Sequence, residues 1–187
     1  MIELPGAGTR TTTGPTVSIR GAFGDRRSRE LLASSFPARI AVWVELWESG
    51  FWFDDVIAAT GWEFVVQSDP LANIYRVMRV EGDSLVPALT YPTLEALAAA
   101  LAEPRQVRIV APSGRRRLYY SVSVSIEALT SNDLAELQRW LSGDVRPALE
   151  GRRNPLDVIT RGTRTLLSRF LGGDSKRFGV TSVQFDT

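Results

Sequence analysis

The sequence predicts an α+β fold, an antiparallel β-sheet or sandwich with two to three packed helices, and three observations predict it. Apolar residues recur with period two in several long runs, the turns between those runs are short, and helical periodicity is confined to a few capped stretches. Short turns favour neighbouring antiparallel strands over parallel crossovers. A length of 187 residues points to one domain with or without a tail.

The first fifteen residues, MIELPGAGTRTTTGP, are rich in Gly, Pro and Thr and carry no apolar period, so residues 1–15 are expected as a flexible leader. They lack the basic start and apolar core of a signal peptide. TVSIRGAF then reads as a strand with Val17, Ile19 and Phe23 on one side, and Asp25 is placed to cap a short helix from Arg26 to Ser34. Pro37 opens the strongest strand of the chain, ARIAVWVELWE. In it Ile40, Val42, Val44 and Leu46 alternate with Arg39, Ala41, Trp43, Glu45 and Trp47. Ser49-Gly50 is read as a short turn, with FWFDDVIAAT returning as the antiparallel partner of 43–48. Gly61 is read as restarting a strand, WEFVVQS, with Trp62, Phe64 and Val66 on one side. The turn DPLAN leads into IYRVMRV, which completes a four-strand meander.

After the turn Glu81-Gly82-Asp83 and the short strand SLVPAL, Thr93 caps the helix LEALAAALAE, expected over 93–103 with Leu94, Leu97 and Leu101 on one face. Pro104 stops it. QVRIVA is a further strand, and SGR is read as a hairpin loop into RRLYYSVSVSIEAL. There Leu118, Tyr120, Val122, Val124 and Ile126 oppose a polar face of Arg117, Tyr119, Ser121, Ser123, Ser125 and Glu127. Ser131 caps a helix over 131–142, closing an α+β domain over 16–143. A Pro/Gly/Arg-rich linker over 144–154 follows. An amphipathic helix over 155–171 and a last strand, RFGVTSVQF, make up the C-terminal unit 155–187.

Composition excludes more chemistry than it assigns. With no cysteine and no histidine, the chain cannot use a thiolate, a Cys/His zinc site, a disulfide or an imidazole base. Its longest apolar stretch, Ala38 to Trp47, is interrupted by Arg39 and Glu45 and falls well short of a membrane span. Charge is divided. Residues 1–103 hold 8 Arg against 13 acids, a balance of −5, and residues 104–187 hold 13 Arg and one Lys against 8 acids, a balance of +6. Either the basic elements pack beside the acidic ones or the C-terminal part meets an anionic partner.

Two candidate binding groups emerge. The first is the aromatic set Trp43, Trp47 and Trp52, two of which lie at i and i+4 on the strand face opposite the core. The second is the run Arg115, Arg116 and Arg117 at a hairpin tip, with Arg105, Arg108, Arg152 and Arg153 as further phosphate-holding candidates and Tyr119 and Tyr120 as stacking surfaces. Solvated-loop duty is the simpler reading of the arginines, since no nucleic-acid-binding motif accompanies them. Asp54 and Asp55, adjacent on a strand, point to opposite faces and form no acid/base pair, and Asp69 is a turn residue. Glu45, Asp54, Asp55 and Glu63 lack the spacing of a calcium loop, so no metal and no cofactor is expected.

FPARIAVWVELWE, FWFDDVIAATGWEFVVQSDPLANIYRV, YPTLEALAAAL and YYSVSVSIEALTSNDLAELQRWL, in that order over residues 36–141, together resemble the uncharacterised bacterial domain-of-unknown-function family four-three-nine-zero. The resemblance implies an exported, periplasmic or envelope-associated protein with no assigned activity, cofactor or catalytic residue. The chain departs from that pattern in lacking a leader peptide and in its C-terminal helix and last strand. The expectation is therefore a non-enzymatic binding or assembly module of a bacterial cell envelope. It would hold a protein partner through the aromatic sheet face or the C-terminal helix. Alternatives are a carboxylate-dependent enzyme acting on glycans, with aromatics stacking the sugar, and an anionic or nucleic-acid ligand on the arginine-rich half. Helix 155–171 is also suited to a membrane surface.

Overall fold

The computed structural model describes residues 1–34, 36–81, 84–129 and 175–187. The helices expected over 131–142 and 155–171, the linker 144–154 and the arginines Arg152 and Arg153 lie outside the described residues.

The fold is α+β, with two antiparallel sheets. In chain order the strands are β1 (Ile2–Glu3), β2 (Thr16–Val17), β3 (Ala38–Glu48), β4 (Asp55–Asp69), β5 (Ile74–Glu81), β6 (Ser84–Tyr91), β7 (Arg105–Gln106), β8 (Leu118–Ala128) and β9 (Ser175–Thr181). The large sheet runs β6-β5-β4-β3-β8-β9 and the small one β1-β2-β7. β3 to β6 form a meander, and β8 docks on the other side of β3.

Strict alternation explains the large sheet. Ile40, Val42, Val44 and Leu46 on β3 lie beside Ile126, Val124, Val122 and Tyr120 on β8, and all eight are buried. Trp62, Phe64 and Val66 on β4 and Val77 on β5 extend the same apolar surface. Two helices and the small sheet cover it. Helix α1 (Arg26–Ala33) inserts Leu31 and Leu32, and α2 (Leu94–Leu101) inserts Leu97 and Leu101. Both are capped as their sequences require: Asp25 accepts from the N–H groups of Arg27 and Ser28, and Thr93 Oγ1 accepts from Ala96 N–H. The Ser28 hydroxyl bonded to the Asp25 carboxylate is the main reason that its pKa lies below the ordinary value, burial opposing it.

Several expectations need correction. Residues 1–15 are not a loose leader. Ile2 and Glu3 pair with Val17 and Thr16, the terminal ammonium donates to Ser18 O at 2.7 Å, and Gly14 and Pro15 are buried. Gly14 is packed so closely that an added Cβ would lie 2.0 Å from the Val107 carbonyl oxygen. TVSIRGAF is a strand for two residues only and then turns into a 3-10 helix, Arg20–Phe23, that buries Ala22 and Phe23. QVRIVA is no partner of β8: only its first residue, Gln106, pairs with β2, and Val107 and Ala111 donate to the carbonyls of Pro15 and Arg10. The last strand, expected to return to the sheet, does so as β9, antiparallel to β8.

Nor does Gly61 break a strand. β4 runs fifteen residues straight through it, with one β-bulge that leaves Ile57 unopposed where Leu46 faces Ala58 and Trp47 faces Val56. Gly61 lies directly opposite Trp43, and a Cβ there would approach Trp43 Cε3 to 2.7 Å and the Val42 carbonyl to 2.8 Å. The glycine makes room for the indole, a cross-strand pairing that compensates for its missing side chain.

Tyr120 ties the large sheet to the segment that follows β7. Fully buried, it donates its hydroxyl to the Ile109 carbonyl at 2.9 Å and stacks on Phe185 at 5.5 Å. Burial pushes its pKa up to about 12.

Two stability predictions follow from these contacts. Gly61→Ala should lower unfolding free energy by roughly 1–3 kcal/mol in denaturant titration, and adding Trp43→Ala should recover part of the loss. Tyr120 is favoured in its neutral form by folding. Its contribution is therefore full below the ordinary value of 10.0 and is lost as pH rises through about 12. Tyr120→Phe should cost about 1–3 kcal/mol near neutrality, by orphaning the Ile109 carbonyl, and should flatten the alkaline part of the pH–stability curve.

Candidate aromatic binding end of the large sheet

β3 and β4 are joined by a loop over 49–54, not by a two-residue turn. FWF therefore does not enter a strand. Phe51, Trp52 and Phe53 are 86%, 82% and 79% exposed, and Phe51 and Trp52 meet edge to face at 5.1 Å. Gly50 lets the loop close, since a Cβ there would fall 1.9 Å from the Phe53 carbonyl oxygen.

Beneath the loop lies an ordered platform. β3 ends beside the start of β8, which brings Trp47 opposite Tyr119 and Glu48 opposite Leu118. Trp47 and Tyr119 are parallel to within 9° at 6.4 Å. Trp47 Nε1–H donates to Glu45 at 3.0 Å, and the Tyr119 hydroxyl donates to Asp54 at 2.7 Å, anchoring the loop's last residue. Ser49 N–H donates to the Arg117 carbonyl, so the arginine-bearing loop runs alongside the aromatic one.

The expected residues are thus distributed unequally. Trp47, Trp52, Arg115, Arg116 and Arg117 come together at this end of the sheet. Trp43 lies on the same outward strand face, half-buried over Gly61 and four residues further from the tip. The arginine run is partly committed to the fold: Arg115 donates to Glu48 at 2.7 Å, and Arg117, at φ 54°, gives its N–H to Asp186. Of the three guanidinium groups, that of Arg115 is thus paired with a carboxylate. Arg105 stacks over Trp62 and Phe64 instead. Glu63 forms a two-pronged ion pair with Arg39, and Asp69 closes its turn by accepting from Ala72 N–H. No three carboxylates converge on a metal position among the described residues.

Sequence reasoning missed Phe51 and Phe53. Their signal was present, three consecutive aromatics between Gly50 and two aspartates, but a short turn at Ser49-Gly50 assigns them to strand faces. Among the described residues no helix is long and apolar enough to cross a membrane. Comparison with known proteins finds no matching family model, no similar curated protein and no similar solved structure.

Because the three tip aromatics touch little of the fold, replacing Phe51, Trp52 and Phe53 together with Ser should change unfolding free energy by less than about 1 kcal/mol. A loss of several kcal/mol on thermal or chemical unfolding would show that they serve the core.

Proposed function

We propose that the protein is a non-enzymatic binding module that holds a protein partner through the aromatic end of its large sheet. The observation that supports this most is the exposure of Phe51, Trp52 and Phe53 on a loop fastened at both ends. Large aromatics are the side chains that dominate protein interfaces, because each buries much area for few rotatable bonds. Burying all three would contribute on the order of 10 kcal/mol gross, comparable to the cost of association. Asp54 and Asp55 follow the aromatics directly, while Arg115, Arg116 and Arg117 stand at the same end with Arg115 paired to Glu48, so the rim carries both signs and suits the polar rim of a protein partner. An envelope location in a bacterial cell belongs to the same reading, on the strength of the resemblance over residues 36–141.

The test is affinity capture from cells of the source organism, with the triple Phe51/Trp52/Phe53→Ser variant as comparison. Wild type should retain a stoichiometric protein in an envelope fraction, and the triple variant should lose it. Trp52→Ala alone should weaken the isolated pair by roughly tenfold or more. Equal capture by wild type and triple variant would sink the proposal.

A further inference from the structure

On the covered side of the large sheet, a cleft of about 380 Å³ opens between β4, β5, the end of β6, the C-terminal end of α2 and β7. Its floor is apolar: Trp62, Phe64, Val77 and Leu101 face it, each almost removed from water. The volume falls within the range of sites for small organic ligands.

Two arginines break the apolar pattern here. Arg79 faces Phe64 across the β4–β5 ladder and lies two residues from the buried Val77, so the alternation of β5 puts it on the core side of the sheet. A guanidinium there departs from the binary pattern that the rest of the face obeys, and such departures concentrate at functional sites. Arg105, from β7, lies 5.1 Å from the Trp62 ring centre and 6.0 Å from that of Phe64, which holds its planar group in a preferred orientation. Among the described residues, the lining holds these two cations and one acid, Glu103. A guanidinium carries five N–H donors in a fixed fork, and the fork matches a carboxylate. Tyr91 adds a hydroxyl to the lining.

We propose that this cleft binds a small amphipathic carboxylate, its apolar body against Trp62, Phe64 and Leu101 and its headgroup on Arg79 and Arg105. The site is separate from the aromatic loop and does not depend on the function proposed for it.

The full chain would be titrated calorimetrically with decanoate below its micelle concentration, and in parallel with decanol. Saturable one-to-one binding of decanoate, roughly tenfold or more tighter than any binding of decanol, is expected. Arg79→Gln and Arg105→Gln should each erase that preference while leaving decanol unchanged. Should either variant fail to fold, amide chemical shifts of the wild-type protein decide. Shifts clustered at residues 62–64, 77–79 and 101–105 support the site. Equal affinities for acid and alcohol, no saturable binding, or shifts confined to the loop 49–54 overturn it.

Discussion

The pairing of β3 with neighbours on both sides is the constraint on which the other elements depend. All eleven of its residues are in register with β8, and on the other side with β4 apart from one bulge. The inward residues Ile40, Val42, Val44 and Leu46 are completely buried, so a slip by one position would turn four apolar side chains outward and Arg39, Glu45 and two tryptophans inward. No other register is close in energy. This fixed register also decides where the chain reverses. Since Glu48 ends opposite both Asp55 and Leu118, the loops before β4 and before β8 emerge side by side. The aromatic end is a consequence of the core pairing, and the contacts of Trp47 and Tyr119 then fasten it.

The small sheet shows the reverse dependence. Its strands are two residues long, too short to persist alone. They hold because the large sheet presents a finished apolar surface, onto which Val17, Val107, Ile109 and Ala111 settle as one core with Leu118, Tyr120 and Val122. Tyr120 adds direction to that contact through its bond to the Ile109 carbonyl. Phe185, paired with Leu118 and stacked on Tyr120, brings the chain end to the same place, and Arg10 lies 5.0 Å over its ring. Arg10 and Phe185, from the two ends of the chain, are thereby stacked in sequence on one buried tyrosine.

How much of this was legible in the sequence follows from what each element uses for its energy. β3, β8 and α2 were readable because burial of a periodic face determines them, and α1 because Asp25 announces its cap. The N-terminal fifteen residues were unreadable because backbone hydrogen bonds hold them, and Gly, Pro and Thr advertise no such bonds. Gly61 misled because a glycine in a strand signals a break unless its cross-strand neighbour is known, and that neighbour, Trp43, lies eighteen positions earlier. The site was half legible. Trp47, Trp52 and the run 115–117 could each be singled out, but their meeting at one end is a non-local product of the β3–β8 register. Arg79 carries no signal of its own within IYRVMRV, because alternation alone does not say which of the two faces is the core.

Charge is split between the two parts of the chain, and among the described residues Arg39 meets Glu127 at 3.7 Å, Arg115 meets Glu48 at 2.7 Å and Lys176 meets Asp25 at 3.8 Å across that divide. The last two are surface pairs. Pairs of that kind contribute about 0–1 kcal/mol each. Apolar burial carries the fold, which makes the three exposed aromatics at its end the more informative exception. A flexible loop would collapse such side chains onto the nearest apolar surface. Here the loop cannot: Gly50 closes it tightly, Tyr119 holds Asp54, and the Arg117 carbonyl holds Ser49. On the binding function proposed above, a surface fixed in advance would lose little conformational entropy on association, so most of the area these rings would bury would count as affinity.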